Sequence, residues 1–273
     1  VMGFYRETIQ QNKRYVSVAE AVLEAYKASY TSFLDDKVKI LIGRKGQDVK
    51  KMDTLIVKLQ GGPLTPFYLD IAKNPENLIS EDFFKNYDLK LVGQTSLDNQ
   101  RCYIVEFEMK KDLNLPLYKG KFFIDVDNLA FVAIEFGISD YGLQYANNLF
   151  IKKKPLSLKV EILGANYFIK YNKSNSIWNL AYVRSELKFK CKWKKRLFSS
   201  TYNITTEMAI TDIDYNNVER IKAAEAFKFS DVFSEKADDF KNDDFWGDYN
   251  IIAPDESIMN AIIRLNKKLK RQQ

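Results

Sequence analysis

The segment Tyr118–Phe136, Y-K-G-K-F-F-I-D-V-D-N-L-A-F-V-A-I-E-F, constrains this chain more than any other. Two β-rich runs, 121–124 and 129–136, flank Asp125-Val126-Asp127-Asn128. Asp and Asn favour turns because their side chains bond nearby backbone and tolerate left-handed φ, so the segment predicts a hairpin. The second arm places Ala130, Val132, Ile134 and Phe136 on one face and Leu129, Phe131, Ala133 and Glu135 on the other. Both faces are largely apolar, so both need cover. The hairpin therefore belongs inside a sheet, with further strands beside it and helices or loops over one face.

Read from its start, the chain predicts a first hairpin from Phe4–Ile9 and Tyr15–Tyr30, joined by the polar stretch 10–14. A strand Val38–Ile42 follows, running into Gly43-Arg44-Lys45-Gly46. Residues 61–88 change character. Gly61-Gly62-Pro63 breaks the preceding run, and Thr65-Pro66 has the form of an N-cap with Pro at the first helical position, leading Phe67, Leu69 and Ile71 into a short helix that Asn74-Pro75 stops. Ser80 caps a second short helix carrying Phe83 and Phe84, with Glu81 and Asp82 at its positive end. From Leu89 the strands come in quick succession: 89–95, a turn at Asp98-Asn99, 101–109, and then the central hairpin, an antiparallel meander. Beyond a long aromatic loop at 138–155, Leu187, Phe189, Cys191 and Trp193 alternate with Glu186, Lys188, Lys190, Lys192 and Lys194, one face buried and one wet. Tyr202, Ile204, Met208 and Ile210 repeat the pattern, with Thr201, Asn203, Thr205 and Glu207 opposite. Near the end, Ile258, Ala261, Ile262, Leu265 and Leu269 form the stripe of an amphipathic helix starting at about Pro254.

Chemistry is narrowed by what the chain lacks. It has 273 residues and no histidine, which removes the commonest general base and the usual catalytic zinc ligand. Its two cysteines, Cys102 and Cys191, sit among apolar neighbours in predicted strands, as buried free thiols do. Asp125, Asp127 and Asn128 lack the EF-hand spacing with its distal Glu and are turn formers. Neither Gly43–Gly46 nor Gly61-Gly62 has phosphate-loop spacing. Glu106 with Glu108, and Asp212 with Asp214, share strand faces and have the residue types of an acid/base pair; carboxylates on wet strand faces are far commoner. No cofactor is implied. No run of about 18 apolar residues is present, and no basic-then-apolar segment opens the chain, which begins with Val; the expectation is a trimmed product whose targeting segment has been removed.

Charge is uneven. Residues 151–196 hold 13 Lys plus Arg against 2 Asp plus Glu, a net of +11, whereas residues 207–256 hold 5 against 14, a net of −9. One expectation is that the acidic stretch neutralises the basic one. The other is that the basic 151–196 face makes peripheral contact with a membrane bearing anionic headgroups. Nucleic acid is not expected, since no glycine-rich, zinc or helix-turn-helix pattern accompanies the charge.

Three segments, Phe4-Tyr5-Arg6-Glu7, Gly120-Lys121-Phe122-Phe123-Ile124-Asp125 and Phe245-Trp246-Gly247-Asp248-Tyr249-Asn250, occur in an order that resembles the region following a carboxypeptidase-regulatory-like domain in Gram-negative envelope proteins. The glycine, strand, Ile-Asp, turn, strand arrangement is also similar to the Lol-type lipoprotein carriers and the related periplasmic stress-signal sensor. The resemblance implies an α+β chain: a strongly curved antiparallel sheet, an incomplete barrel, with short helices over one face and a C-terminal amphipathic helix. Together with the element pattern read above, the expectation is a curved-sheet domain at 1–215 with a helical insert at about 61–88, and an acidic segment and C-terminal helix at 216–273 that pack on the same domain. It further implies a non-catalytic protein of the periplasm or outer-membrane surface.

Three functional readings stand at this level. The first is a carrier or sensor binding a lipid or acyl chain beneath the helices, with Phe67, Leu69, Ile71, Phe83, Phe84, Phe107 and Phe131 as ligand contacts. The second is a module that engages an envelope protein partner and has a filled interior. The third is a glycan hydrolase with paired carboxylates. An apolar cavity of several hundred Å³ distinguishes the first from the second.

Overall fold

The computed structural model describes residues 1–46, 61–110, 113–147, 155–174, 176–194, 197–216 and 218–237. The predicted C-terminal helix lies outside these residues. Ten strands account for most of the described chain: β1 Met2–Gln11, β2 Arg14–Tyr26, β3 Lys37–Gly46, β4 Tyr87–Leu97, β5 Gln100–Met109, β6 Tyr118–Asp125, β7 Phe131–Ile138, β8 Leu158–Ser174, β9 Ile177–Trp193 and β10 Ser200–Asp212. They form one open antiparallel sheet in the order β3-β2-β1-β10-β9-β8-β7-β6-β5-β4. The central hairpin, β6 and β7, is interior to the sheet, flanked by β5 and β8, as its two apolar faces require. Helices are few and short: α1 Thr65–Tyr68, α2 Phe83–Asn86 and α3 Phe233–Lys236, with 3-10 turns at Gly62–Leu64, Pro75–Asn77 and Gly142–Tyr145. The insert at 61–88 is thus four single turns, because Pro63, Pro66 and Pro75 and the Gly61-Gly62 pair interrupt any longer helix.

The chain divides into two compact units, one of residues 1–9, 15–68 and 206–273 and the other of residues 10–14 and 69–205. In the first, β1 is buried on both faces: Phe4 and Tyr5 are joined in burial by Arg6 and Glu7. Arg6 on β1 meets Glu20 on β2, with Nε donating to Oε1 at 2.7 Å and the pair fully enclosed. Tyr5 packs edge-on against Phe233 of α3 at 4.8 Å, and burial with the neighbouring Glu7 holds its hydroxyl protonated well above the ordinary range. The 218–237 segment follows β3, with Phe227 N–H donating to the Val38 carbonyl at 2.7 Å and Lys39 bridging Glu225 at 2.9 Å. Glu207, expected on a wet face of β10, is buried instead. Strict alternation fails there because Glu207, Met208 and Ala209 are all enclosed.

In the second unit β4 to β9 run as a meander in which each strand pairs antiparallel with the next, with register shifts in β4–β5, β6–β7 and β8–β9. The β4–β5 turn carries positive φ at Asp98 (46°) and Asn99 (68°), the two-residue turn whose twist matches its strands. Around the central hairpin the Asp125 carboxylate accepts from the Asp127 and Asn128 N–H groups at 3.0 and 2.9 Å, which confirms these residues as turn formers. Leu129, read as the start of the second arm, lies in the turn with φ 61° and is exposed; β7 begins at Phe131. The buried side of this unit is built from rings. Phe83 of α2 stacks on Tyr87 at 4.5 Å, Phe107 stacks on Phe122 at 4.6 Å, and Phe136 stacks on Tyr167 at 4.7 Å. Such pairs add about 0.5–1.5 kcal/mol each beyond the area they bury.

Candidate functional site

Of the residues expected to contact an apolar ligand, the structure brings four together. Phe83 lies 5.7 Å from both Phe84 and Phe107, and Phe122 links this cluster to Phe131 at 5.4 Å. Phe83 and Phe107 are almost completely enclosed and pack ring on ring, whereas Phe84 is 72% exposed. Ile71 is fully buried and Leu69 half-buried in the same unit, while Phe67 is buried in the other unit, within α1.

The opposite side of the same strands carries a trough of about 860 Å³. The register shows how it is built. Lys90, Glu106, Lys121, Glu135, Phe168 and Arg184 lie side by side in one row across β4 to β9. Two residues along the strands, Asp88, Glu108, Lys119, Gly137, Asn166 and Glu186 form a second row on the same face. Between them runs Leu89, Phe107, Gly120, Phe136 and Tyr167, whose side chains point to the aromatic side. Exposure agrees with this division: Lys90, Glu108, Lys121 and Glu135 are exposed, while Phe107 and Phe136 are buried. Across six strands the trough is about 24 Å long at the usual inter-strand spacing.

The first row alternates in sign: plus at Lys90, minus at Glu106, plus at Lys121, minus at Glu135, then Phe168 and plus at Arg184. Opposite charges directly across an antiparallel pair are the favourable arrangement. Lys121 bridges Glu106 at 3.0 Å. Lys119 turns away to Asp140 at 2.7 Å, a bond that also raises its ammonium above the usual lysine range. Arg184 is held by Glu186 two residues along its own strand, Nε donating at 3.0 Å. Gly137 leaves a dip in the second row where a Cβ would fall 2.3 Å from Asn166 Oδ1. Phe168 and the aliphatic stems of the lysines supply apolar surface within this charged frame.

The trough contains Glu106 and Glu108, which the sequence marks as carboxylates sharing a face. Glu106 is about half exposed and already engaged by an ammonium group. The acid of a working carboxyl pair sits instead in an apolar pocket that keeps it protonated. Among the described residues no group of three or more Cys, Asp or Glu is arranged to hold a metal ion, and no helix is long and apolar enough to cross a membrane.

Sequence reasoning reached Glu106 and Glu108 but not the rows they belong to. Each member is an ordinary polar position of its own strand, and only the pairing register assembles them. The sequence signal that bears on it is a charge at one or both of the outward positions of most of these strands.

No family model matches the chain, and no curated protein matches it. Solved structures do show similarity. A DUF1329 family protein from Desulfovibrio piger is 13% identical, with 75% of this chain and 83% of that chain covered and a TM-score of 0.24. A LolA superfamily protein from Nitrosomonas europaea is 9% identical, covering 80% and 89%, with a TM-score of 0.22. The MucA/MucB complex from Pseudomonas aeruginosa is 8% identical, covering 75% and 88%, with a TM-score of 0.21. Superpositions this loose do not bear on what the chain does.

Proposed function

We propose that this chain is a non-catalytic binding protein of the cell envelope, and that its trough engages an extended polypeptide segment bearing both acidic and basic residues. The observation that carries this reading is the alternating charge of the Lys90–Arg184 row, laid across six strands beside a half-buried Phe168. About seven extended residues span 24 Å, so one short segment reaches from end to end. Complementary rows of charge set register and partner choice more than affinity. The envelope location rests on the sequence resemblance.

The test is fluorescence polarisation with a set of labelled seven-residue peptides of varied charge. Peptides with both signs should bind, weaken steeply as salt rises, and be lost to Lys121→Glu or Arg184→Glu in protein that circular dichroism shows to be still folded. A set with no binder, or binders indifferent to both substitutions, overturns the proposal.

A second reading has its own observation. Phe84, Leu89 and Leu91 are exposed at 72%, 41% and 62% beside the enclosed Phe83 and Phe107, an apolar flank against which an acyl chain could lie once α2 moves. Palmitate that displaces a hydrophobic dye, with loss of displacement in the Phe83→Ser/Phe84→Ser variant and not in Lys121→Glu, would favour it.

A further inference from the structure

We infer that one end of the second unit is a membrane-docking tip, in which Leu156, Leu197 and Phe198 enter the bilayer interface and the lysines of β8 and β9 hold anionic phospholipid headgroups. Leu156 is 96% exposed, Leu197 89% and Phe198 86%. Single exposed apolar residues are ordinary, but three nearly naked large side chains at one place are not. They do share one place. Leu156 precedes β8 and Leu197-Phe198 follow β9; Leu158 pairs with Trp193, and Lys194 N–H donates to the Ser157 carbonyl at 2.9 Å. The β1–β2 turn joins the same end: Asn12 N–H donates to the Thr201 carbonyl at 2.8 Å and Thr201 N–H to Asn12 Oδ1 at 2.9 Å, bringing Lys13 alongside.

Behind this apolar edge the outward face is basic. Lys159 stands opposite Lys192, and Glu161 opposite Lys190; Lys159, Lys188, Lys190, Lys192 and Lys194 are all exposed. Glu161 is the single acid among them. Like charges directly opposite, as at Lys159 and Lys192, cost stability within the protein, a cost that an anionic surface would offset. Apolar tips with lysines on long stems just behind them match the two layers of a membrane interface, the acyl boundary and the headgroup phosphates. Leu156 lies on the loop before β8 and Leu197 and Phe198 on the loop after β9, all almost fully exposed, so they fit a fluid medium better than a shaped protein partner. Two of the three are leucines, which offer no stacking surface for bases. The inference is independent of the trough, which uses other residues.

The experiment is cosedimentation of the full 273-residue chain with vesicles of phosphatidylcholine alone and of phosphatidylcholine mixed with phosphatidylglycerol. Binding is expected to the mixed vesicles, to fall as salt rises, and to be weak with phosphatidylcholine alone. Lys190→Glu/Lys192→Glu should weaken it by about tenfold or more, from the attraction each lysine contributes near an anionic surface. Leu197→Ser/Phe198→Ser should weaken it comparably at unchanged melting temperature, since neither side chain is packed. Failure to sediment with mixed vesicles at low salt overturns the inference and turns attention to a protein partner at this end. Full retention of binding by the Leu197→Ser/Phe198→Ser variant overturns insertion as well, because attraction by lysines alone would then account for everything.

Discussion

The Tyr171 hydroxyl donates to Oδ1 of Asp70 at 2.9 Å, joining two residues 101 positions apart in sequence, and both are buried. The same oxygen of Tyr171 accepts the Ala72 N–H at 3.1 Å. One phenol on β8 therefore fastens the segment that follows α1. Tyr171→Phe keeps the ring and removes a donor from a buried carboxyl group, a loss that costs about 1–3 kcal/mol. Urea unfolding should show it as a lower midpoint with an unchanged slope. A change below about 0.5 kcal/mol, the scale of a neutral surface substitution, would mean that the bond is not a structural fastener.

Arg6 and Glu20 make the corresponding test in the first unit. Removing one partner of an enclosed ion pair leaves a buried charge and costs about 3–5 kcal/mol, whereas replacing both with apolar residues of similar volume costs far less. Arg6→Met and Glu20→Leu should each destabilise strongly, and the double variant should recover much of the loss. Additive losses in a double-mutant cycle would show that the two act separately.

Alkaline pH should unfold the second unit through its tyrosines. Burial, with Tyr87 nearby, pushes the Tyr118 phenol up to about 12 from an ordinary 10. Burial raises Tyr167 further and Tyr87 to a smaller extent. Because the folded chain holds these protons more tightly than the unfolded chain, their contribution is fully present below pH 10 and declines as pH rises from there. Stability measured by denaturant should be flat in this respect to about pH 10 and fall beyond it. Tyr167→Phe should shallow the fall; an unchanged alkaline slope in that variant would exclude Tyr167 as a source.

Gly120 should tolerate no side chain. A Cβ there would lie 2.1 Å from the Glu135 carbonyl oxygen and 2.7 Å from Phe136 Cα and Cβ. Both obstacles belong to the paired strand, so Gly120→Ala must force β6 and β7 apart. Overpacking of this kind costs about 1–3 kcal/mol or more, readable as a fall in melting temperature larger than that of an Ala substitution at exposed Lys121. Equal falls would show that the hairpin yields more easily than its geometry implies.

The sheet was largely legible because its strands are runs of β-rich residues set off by turn formers. The hairpin of β6 and β7, the turn at Asp98-Asn99 and the lysine face of β9 all follow from periodicity. Strand β8 is harder to read. Leu158, Val160 and Ile162 are buried at even positions, the register shifts at Gly164, and Ala165, Ile169 and Tyr171 continue the buried side at odd ones. A second shift between Lys170 and Tyr171 displaces β9 in turn. An alternation that changes phase within a strand looks like none at all. For the candidate site the limit is different: the trough depends on which residue faces which across six strands, information that pairing creates and no single strand contains. The aromatic cluster was visible from composition, but the stacking of Phe83, Phe107 and Phe122 into one another was not.

Strand β4 ends the sheet order, and its outer backbone has no strand beside it among the described residues. Leu89, Leu91 and Val92 stand exposed along it, which makes it the place where aggregation would begin, since such an edge templates pairing with another chain. What keeps the edge from being a long flat template is a single glycine. Gly93 sits at the register shift with φ +154° and open space around it, and a bulge of this kind bends and twists its strand. Straight, the run from Leu89 to Ser96 would exceed the six or seven residues that fibril-forming segments use. Broken at Gly93, with Asp88 and Lys90 charged on its near half, it is too short on either side. The interruption of this edge is therefore written in a backbone angle that no other residue adopts comfortably, and Gly93→Val should raise the tendency to self-associate without removing one contact from the folded core.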